Sequence, residues 1–149
     1  STQDDAPVIT QSSAETSNTI TINASEENAT ANVTISNVNI NASGAAIATS
    51  GKGNVNIELD GTNTLKSGSD HAGLEKSKDG KLTITDENGN GKLSAIGGYS
   101  GAGIGGGNQG NGSNITITGG EITAAGGKYG AGIGGGYYGN GSNITITGG

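Results

Sequence analysis

The sequence contains no cysteine, methionine, tryptophan or phenylalanine, and all seven of its basic residues are lysines. Without cysteine the chain forms no disulfide framework, thiolate zinc site, iron–sulfur cluster or cysteine nucleophile. Its single histidine, His71, excludes a metal site built from several imidazoles. Only 30% of the residues are hydrophobic and 3% aromatic. We therefore do not expect a rounded core built on aromatic side chains.

Positive charge is also scarce, since the net charge is −6 and the isoelectric point is about 4.5. Proteins that bind nucleic acid neutralise phosphates with clustered lysine and arginine. We therefore expect no nucleic-acid partner. No apolar run approaches the roughly 20 residues that span a membrane as a helix, so we also expect no membrane insertion.

Two kinds of segment follow one another along the chain. Residues 1–18 are polar, contain the only proline, and lack periodicity, which predicts a flexible N-terminal lead-in. From Thr19 onward, short segments alternate strictly between apolar and polar residues, as in residues 19–23 and 81–85. Such alternation predicts strands with one buried face.

An internal repeat decides the fold class. The segment GNGSNITITGG at residues 110–120 recurs letter for letter at 139–149, and GAGIGGG at 101–107 returns at 130–136. Repeats of this length are typical of solenoids and propellers. Three strand-like pieces recur in units that begin at residues 32, 54, 81, 114 and 143, and these units are too short for four-stranded propeller blades. We predict an all-β, right-handed parallel β-helix over 19–149, with three short strands per rung and four to five rungs.

Stacking of the rungs is expected to form aliphatic columns inside the solenoid. Alignment of the units places Val33 and Ile35 over Val55 and Ile57 in the first column. The sequence stops in mid-repeat at Gly149, which predicts a fragment of a longer stack. An uncovered last rung also predicts end-to-end self-association.

The residues NVTISNVNINASGAAIATSGKGNVNIELDGTNTLKSG (32–68), KLTITDENGNGKLSAIGG (81–98) and the GAGIGGG…NITITGG repeats carry a family resemblance. Together they resemble the carbohydrate-binding β-helix domains of clostridial and other Gram-positive surface proteins, whose fold is similar to that of pectate lyases. The resemblance implies an extracellular, cell-surface protein that binds acidic or plant polysaccharide, in some cases with calcium.

Catalysis is not expected from the residues present. A pectate-lyase-like reaction needs a calcium-binding carboxylate cluster beside a base, usually arginine, and the chain has no arginine. The alternative is that a lysine replaces it, since Lys66, Lys76 and Lys78 lie near candidate carboxylates. Glycoside hydrolysis needs converging carboxylates. The four candidates lie in insertions and not in one strand column: Asp60, Asp70, Glu75 and Asp79. We predict a protein that is not an enzyme.

A candidate calcium loop follows the strand at 81–85. Asp86, Asn88 and Asn90 alternate with other residues and precede Gly91, as at the start of an oxygen-rich calcium loop. The twelfth position is Gly97, which supplies no carboxylate. The alternative interpretation is a plain Asn-Gly turn between two strands.

All four tyrosines lie in the glycine-rich segments that flank the third strand of a rung. Exposed aromatic rings stack on the C–H faces of sugars, while neighbouring amides bond the hydroxyl groups. We predict a ligand-binding corner built from these rings and two amides: Tyr99, Tyr129, Tyr137, Tyr138, Asn108 and Gln109. The alternative is that the rings only shield glycine-rich backbone.

These observations predict a non-catalytic carbohydrate-binding or adhesion module. Alternatives are a structural stalk and an adhesin for a host protein. Threonine columns on the first strand, which include Thr83, Thr116 and Thr145, add ice binding as a minor alternative.

Overall fold

The computed structural model describes residues 6–12 and 14–149, and within them the chain forms fifteen strands and no helix. All strands pair in parallel and build three sheets. The first sheet contains β1 (Val8–Thr10), β3 (Thr30–Ser36), β6 (Asn54–Asp60), β9 (Leu82–Thr85), β12 (Gly112–Ile117) and β15 (Gly141–Ile146). The second contains β4 (Asn39–Asn41), β7 (Thr62–Lys66), β10 (Lys92–Ile96) and β13 (Glu121–Ala125). The third contains β2 (Ile20–Asn23), β5 (Ile47–Ser50), β8 (Leu74–Glu75), β11 (Ile104–Gly105) and β14 (Ile133–Gly134).

The chain visits the three sheets in turn and coils through about five rungs. The predicted parallel β-helix with three strands per rung is therefore confirmed. Every second side chain of a strand points inward, so each sheet adds its own aliphatic column to the core. In the third sheet, Ile47, Leu74, Ile104 and Ile133 lie in one register column. The first three of these side chains are fully buried.

The register of the first sheet differs from the sequence alignment. Val33 pairs with Ile57, and Ala31 pairs with Val55. The alignment of Val33 with Val55 is therefore wrong by two residues. A slip of two residues leaves every side chain on its original face. The prediction of which residues point inward is unaffected, and Ile57 is fully buried.

One polar side chain occupies an inward position of the second sheet. Asn63 lies in register with Leu93 and is fully buried. Its Oδ1 accepts a hydrogen bond from the Val38 N–H at 2.9 Å. Its Nδ2 donates to the carbonyls of Asp60 and Lys92 at 3.1 and 3.3 Å. These bonds satisfy the amide and tie three successive rungs together.

The described part of the N-terminal segment takes part in the solenoid. We expected residues 1–18 to form a flexible lead-in, and residues 1–5 and 13 of this segment lie outside the described residues. Among the others, β1 pairs in parallel with β3, and Thr16 bridges Ile40. The side chain of Gln11 bonds both the N–H and the C=O of Asn39. The solenoid thus begins before Thr19. A strand of three residues, such as β1, is too short to show alternation in the sequence. Its position is determined by pairing with the free edge of β3.

Candidate functional site

Two loops of each late rung meet at one corner of the solenoid. The first loop carries Tyr99 in one rung and Tyr129 in the next, and the Tyr129 N–H donates to the Tyr99 carbonyl at 3.1 Å. The second loop packs beside it, since the Tyr137 N–H donates to the Ser100 carbonyl at 2.8 Å. The Gln109 N–H in turn donates to the Tyr137 carbonyl at 2.7 Å. Hydrogen bonds between backbones therefore bring loops from two rungs into one surface.

This surface contains all six residues predicted to bind ligand, and we call it the tyrosine surface: Tyr99, Tyr129, Tyr137, Tyr138, Asn108 and Gln109. The four rings form one continuous run. The centroids of Tyr99 and Tyr129 lie 5.2 Å apart, edge to face, and those of Tyr129 and Tyr137 lie 4.9 Å apart. Tyr137 and Tyr138 are 4.2 Å apart and tilted. Edge and offset contacts of this kind are the favoured arrangements of aromatic pairs.

The rings are open to solvent. Tyr138 is 80% exposed, Tyr99 53% and Tyr129 45%, while Tyr137 is half-buried. Asn108 and Gln109 are exposed as well. Among the described residues, no group bonds the side-chain amides of these two residues.

Sequence reasoning missed Lys128 in this surface. Its Nζ lies 5.4 Å from the ring centroid of Tyr129 and 5.9 Å from that of Tyr99, within the range of a cation–π interaction. Among the described residues, no carboxylate lies within ion-pair distance of this ammonium. The 29-residue repeat could have predicted its place in this surface, because Lys128 occupies the position equivalent to Tyr99.

Comparison of the chain with protein-family profiles, with curated proteins and with solved structures gave no match.

Half of the differences between the two late repeats lie at the tyrosine surface. Residues 92–120 and 121–149 differ at eight of 29 aligned positions. Four of the eight positions lie in the tyrosine surface and its first loop: Tyr99 against Lys128, Ser100 against Tyr129, Asn108 against Tyr137, and Gln109 against Tyr138. The other four lie in β10 and β13. Variation of the loops on one face of a repeated scaffold is typical of solenoids with a ligand-binding face.

Glycine permits the close stacking of the first loops. A Cβ at Gly98 would lie 1.8 Å from the carbonyl oxygen of Gly68, and one at Gly127 would lie 1.8 Å from that of Gly98. Any side chain at these positions would push the loops apart. The glycines therefore hold Tyr99 and Tyr129 within contact distance of each other.

The second loop contains two residues in a conformation that side chains disfavour. Gln109 has a φ of 61° and Tyr138 a φ of 59°, both in the left-handed region. This region costs an ordinary residue about 1–2 kcal/mol. Glycine would relieve that cost, yet both positions carry large side chains. Local strain of this kind clusters at functional sites, which supports a role for these side chains.

The ring contacts also affect the hydroxyl groups. A hydrogen bond with Tyr129, and to a lesser extent burial, raises the pKa of Tyr99 above its ordinary 10.0. A hydrogen bond with Tyr138, then burial, then the charge of Tyr99 raises the pKa of Tyr137 above the same value. The Tyr99 and Tyr137 side chains are therefore neutral phenols at physiological pH.

The candidate calcium loop lies elsewhere, between β9 and β10. Asp86 Oδ1 accepts a hydrogen bond from the Gly89 N–H at 3.0 Å, and Gly89 has a φ of 74°. Asn90 Nδ2 donates to Asp60 Oδ1 at 2.8 Å, and Asn88 is exposed. Within the described residues, no group of three or more histidine, cysteine, aspartate or glutamate side chains is arranged to hold a metal ion. Calcium binding by Asp86, Asn88 and Asn90 stays a prediction.

Two of the carboxylates considered for catalysis are engaged by neighbouring groups. Glu75 Oε2 accepts from the Ala72 N–H at 2.9 Å and lies 3.0 Å from His71 Nδ1. Asp60 bonds Asn90 as described, and its other oxygen accepts from Ser36 Oγ at 3.1 Å. No helix in the described part of the chain is both long enough and apolar enough to span a membrane.

Proposed function

We propose that the chain is a non-catalytic carbohydrate-binding module and that the tyrosine surface is its binding site. The continuous run of four rings carries this proposal. Pyranose rings present flat C–H faces that stack on exposed aromatic side chains. The unbonded amides of Asn108 and Gln109 lie beside the rings and can bond sugar hydroxyls.

Acidic or plant polysaccharide is the proposed ligand class, with the module displayed outside a Gram-positive cell. This part of the proposal follows the sequence resemblance. The ammonium of Lys128 supports it, because a cation over two aromatic rings attracts a uronate carboxylate while the rings hold the sugar. Calcium is the proposed cofactor for the acidic polymer.

The first experiment measures retention of the chain by polygalacturonate, neutral plant glucans and mucin glycans, each with calcium and with a chelator. We expect retention by the acidic polymer, with a loss in chelator. Replacing Tyr137 and Tyr138 together with alanine should abolish retention and lower the melting temperature only slightly, because the lost ring contacts lie on an exposed surface. Lys128→Gln should weaken retention by polygalacturonate. Lys52→Gln is the control and should not, since both lysines are exposed and Lys52 lies in an early rung.

Retention by none of the polymers would contradict the proposal and favour the stalk or the protein adhesin. Retention that survives the double tyrosine substitution would place the site elsewhere. Equal retention by neutral and acidic polymers would contradict the acidic ligand class alone. Equal retention with calcium and with chelator would contradict the cofactor proposal.

Ice binding is a second candidate because of the outer face of the first sheet. Thr83, Thr116 and Thr145 lie in one register column across β9, β12 and β15. A flat threonine array exposes hydroxyl and methyl groups at regular intervals. Thermal hysteresis of the wild-type chain, and its loss on Thr116→Lys, would support this candidate. Absence of hysteresis would dismiss it.

A further inference from the structure

The corner that carries the tyrosine surface continues into the preceding rung. The register between β8 and β11 makes Asp70 the residue equivalent to Ser100. Backbone hydrogen bonds join the two rungs here. The Ser100 N–H donates to the Ser69 carbonyl at 2.7 Å, and the Asn108 N–H donates to the Asp70 carbonyl at 2.8 Å. Asp70 therefore lies directly beside Asn108 of the tyrosine surface.

The side chain of His71 is held in one orientation at this corner. Its Nδ1 lies 3.0 Å from Glu75 Oε2, which also accepts a hydrogen bond from the Ala72 N–H at 2.9 Å. A Cβ at Gly107 would lie 2.7 Å from the same oxygen, so the absence of a side chain there leaves room for the carboxylate. The imidazole–carboxylate pair therefore lies against the loop that carries Asn108.

This pair is absent from the two rungs that follow. Glycine occupies both equivalent positions there: Gly101 and Gly130 in place of His71, and Gly105 and Gly134 in place of Glu75. Glu75 lies on β8, which has β5 on one side and β11 on the other. The pair is therefore a local feature of an interior rung and not part of the repeated scaffold.

Two polar groups of this corner have no partner in the described part of the chain. A carboxylate only accepts hydrogen bonds, so His71 Nδ1 is the donor to Glu75 and Nε2 is the remaining ring nitrogen. Within residues 6–12 and 14–149, no group bonds His71 Nε2 or the carboxylate of Asp70. The His71 side chain is 39% exposed, and Asp70 is exposed. Both groups are therefore available to a ligand on the tyrosine surface.

The chemistry of these two groups favours a sugar hydroxyl over a uronate carboxylate. The Asp70 carboxylate needs a hydrogen-bond donor, and a hydroxyl supplies one. His71 Nε2 accepts when the imidazole is neutral and donates when it is protonated, and a hydroxyl complements both forms. A uronate carboxylate donates nothing, and the charges of Asp70 and Glu75 repel it.

We propose that Asp70 and His71 form a subsite for an uncharged sugar residue, and that the ligand contains both uronate and uncharged sugars. Lys128, which attracts the uronate, is equivalent to Ser69 and lies two rungs, about 10 Å, further along the solenoid. This distance is longer than one pyranose ring, so the two sugars are different residues of one polymer. The inference rests on the proposed function, because it extends the same binding surface.

Calorimetric titration with two oligosaccharides of equal length tests the subsite. One contains only galacturonate, and the other alternates galacturonate with the uncharged sugar rhamnose. The alternating oligosaccharide should bind with a Kd lower by about tenfold or more, as expected for a hydrogen bond to a charged group. Asp70→Ala and His71→Ala should each remove most of this preference and leave binding of the galacturonate oligomer no weaker.

Glu87→Ala is the matched control for Asp70→Ala. Both side chains are exposed and both substitutions remove one negative charge, but Glu87 lies between β9 and β10. The preference for the alternating oligosaccharide should persist in this variant. Asp70→Ala carries the test even if His71→Ala lowers the melting temperature, because only the backbone of Asp70 is bonded in the part of the chain that is described.

The outcomes separate this inference from the proposed function. Equal affinity of the native chain for the two oligosaccharides, or a preference that survives Asp70→Ala, would overturn the subsite and leave the proposed function standing. Binding of neither oligosaccharide would contradict both. Replacing Tyr137 and Tyr138 together with alanine should weaken binding of both oligosaccharides, whereas Asp70→Ala should weaken binding of the alternating one alone.

Discussion

Truncation of Ile57 tests the register of the first sheet. Its side chain is fully buried between Val33 of β3 and Ile84 of β9. Ile57→Ala removes three carbon atoms, which at about 0.8 kcal/mol each amounts to roughly 2.4 kcal/mol of lost burial. The cavity left behind brings typical losses to about 2–5 kcal/mol. For a chain of this size, that lowers the melting temperature by about 5–20 °C.

A double-mutant cycle then identifies the neighbour of Ile57. The free energy of unfolding is measured by denaturant titration for Ile57→Ala, for Val33→Ala and for both together. Side chains in contact give a coupling energy of about 0.5–3 kcal/mol. Ile144 lies three strands away, about 14 Å, and its truncation should add to that of Ile57 within about 0.5 kcal/mol.

The refuting result is equally specific. A second cycle combines Val33→Ala with Val55→Ala. If Val33 couples more strongly to Val55 than to Ile57, the sequence alignment is right and the observed register is wrong. Truncation of Val8, which is 60% exposed, is the control and should change the free energy of unfolding by less than about 0.5 kcal/mol.

Three further measurements test the corner and the buried lysine. Gly98→Ala should lower the melting temperature by several degrees, whereas Gly44→Ala, which meets nothing within 4 Å, should not; equal melting curves would contradict the close stacking. Tyr138→Gly should preserve the melting temperature, because relief of the left-handed conformation offsets the lost ring contact. Gln109→Gly loses no ring contact and should raise the melting temperature. A lower melting temperature for both variants would contradict backbone strain at these positions. Burial lowers the pKa of Lys76 below its ordinary 10.5, against the opposing charge of a nearby carboxylate. At pH values between the lowered pKa and 10.5, this lysine is protonated in the unfolded chain and less so in the folded one. The free energy of unfolding should therefore rise with pH in that range. An NMR titration of Lys76 with a midpoint at or above 10.5 would contradict this.

The sequence predicted which residues belong to the candidate site, but not how their side chains contact one another. The repeat alignment placed all four tyrosines in the two glycine-rich loops that flank the third strand of a rung, so a shared corner was predictable. The position of Lys128 over two rings depends on how the loops of successive rungs stack. The left-handed backbone at Tyr138 had no sequence signal, since tyrosine is not a residue that this conformation favours.

The sequence by itself determined the fold class and the inward face of each strand. Apolar and polar residues alternate with a period of two in short strands, and these strands recur in a repeated unit. A parallel solenoid buries the aliphatic residues of such a sequence. The tertiary structure decided the register between strands and the place of the shortest strand, which a period of two cannot distinguish. A slip of two residues preserves the inward face, so only packing between rungs places Val33 over Ile57. A three-residue strand has no readable pattern, so only the open edge of β3 gives Val8–Thr10 its place. The run of tyrosine rings arises in the same way, from backbone contacts between rungs that are distant along the chain.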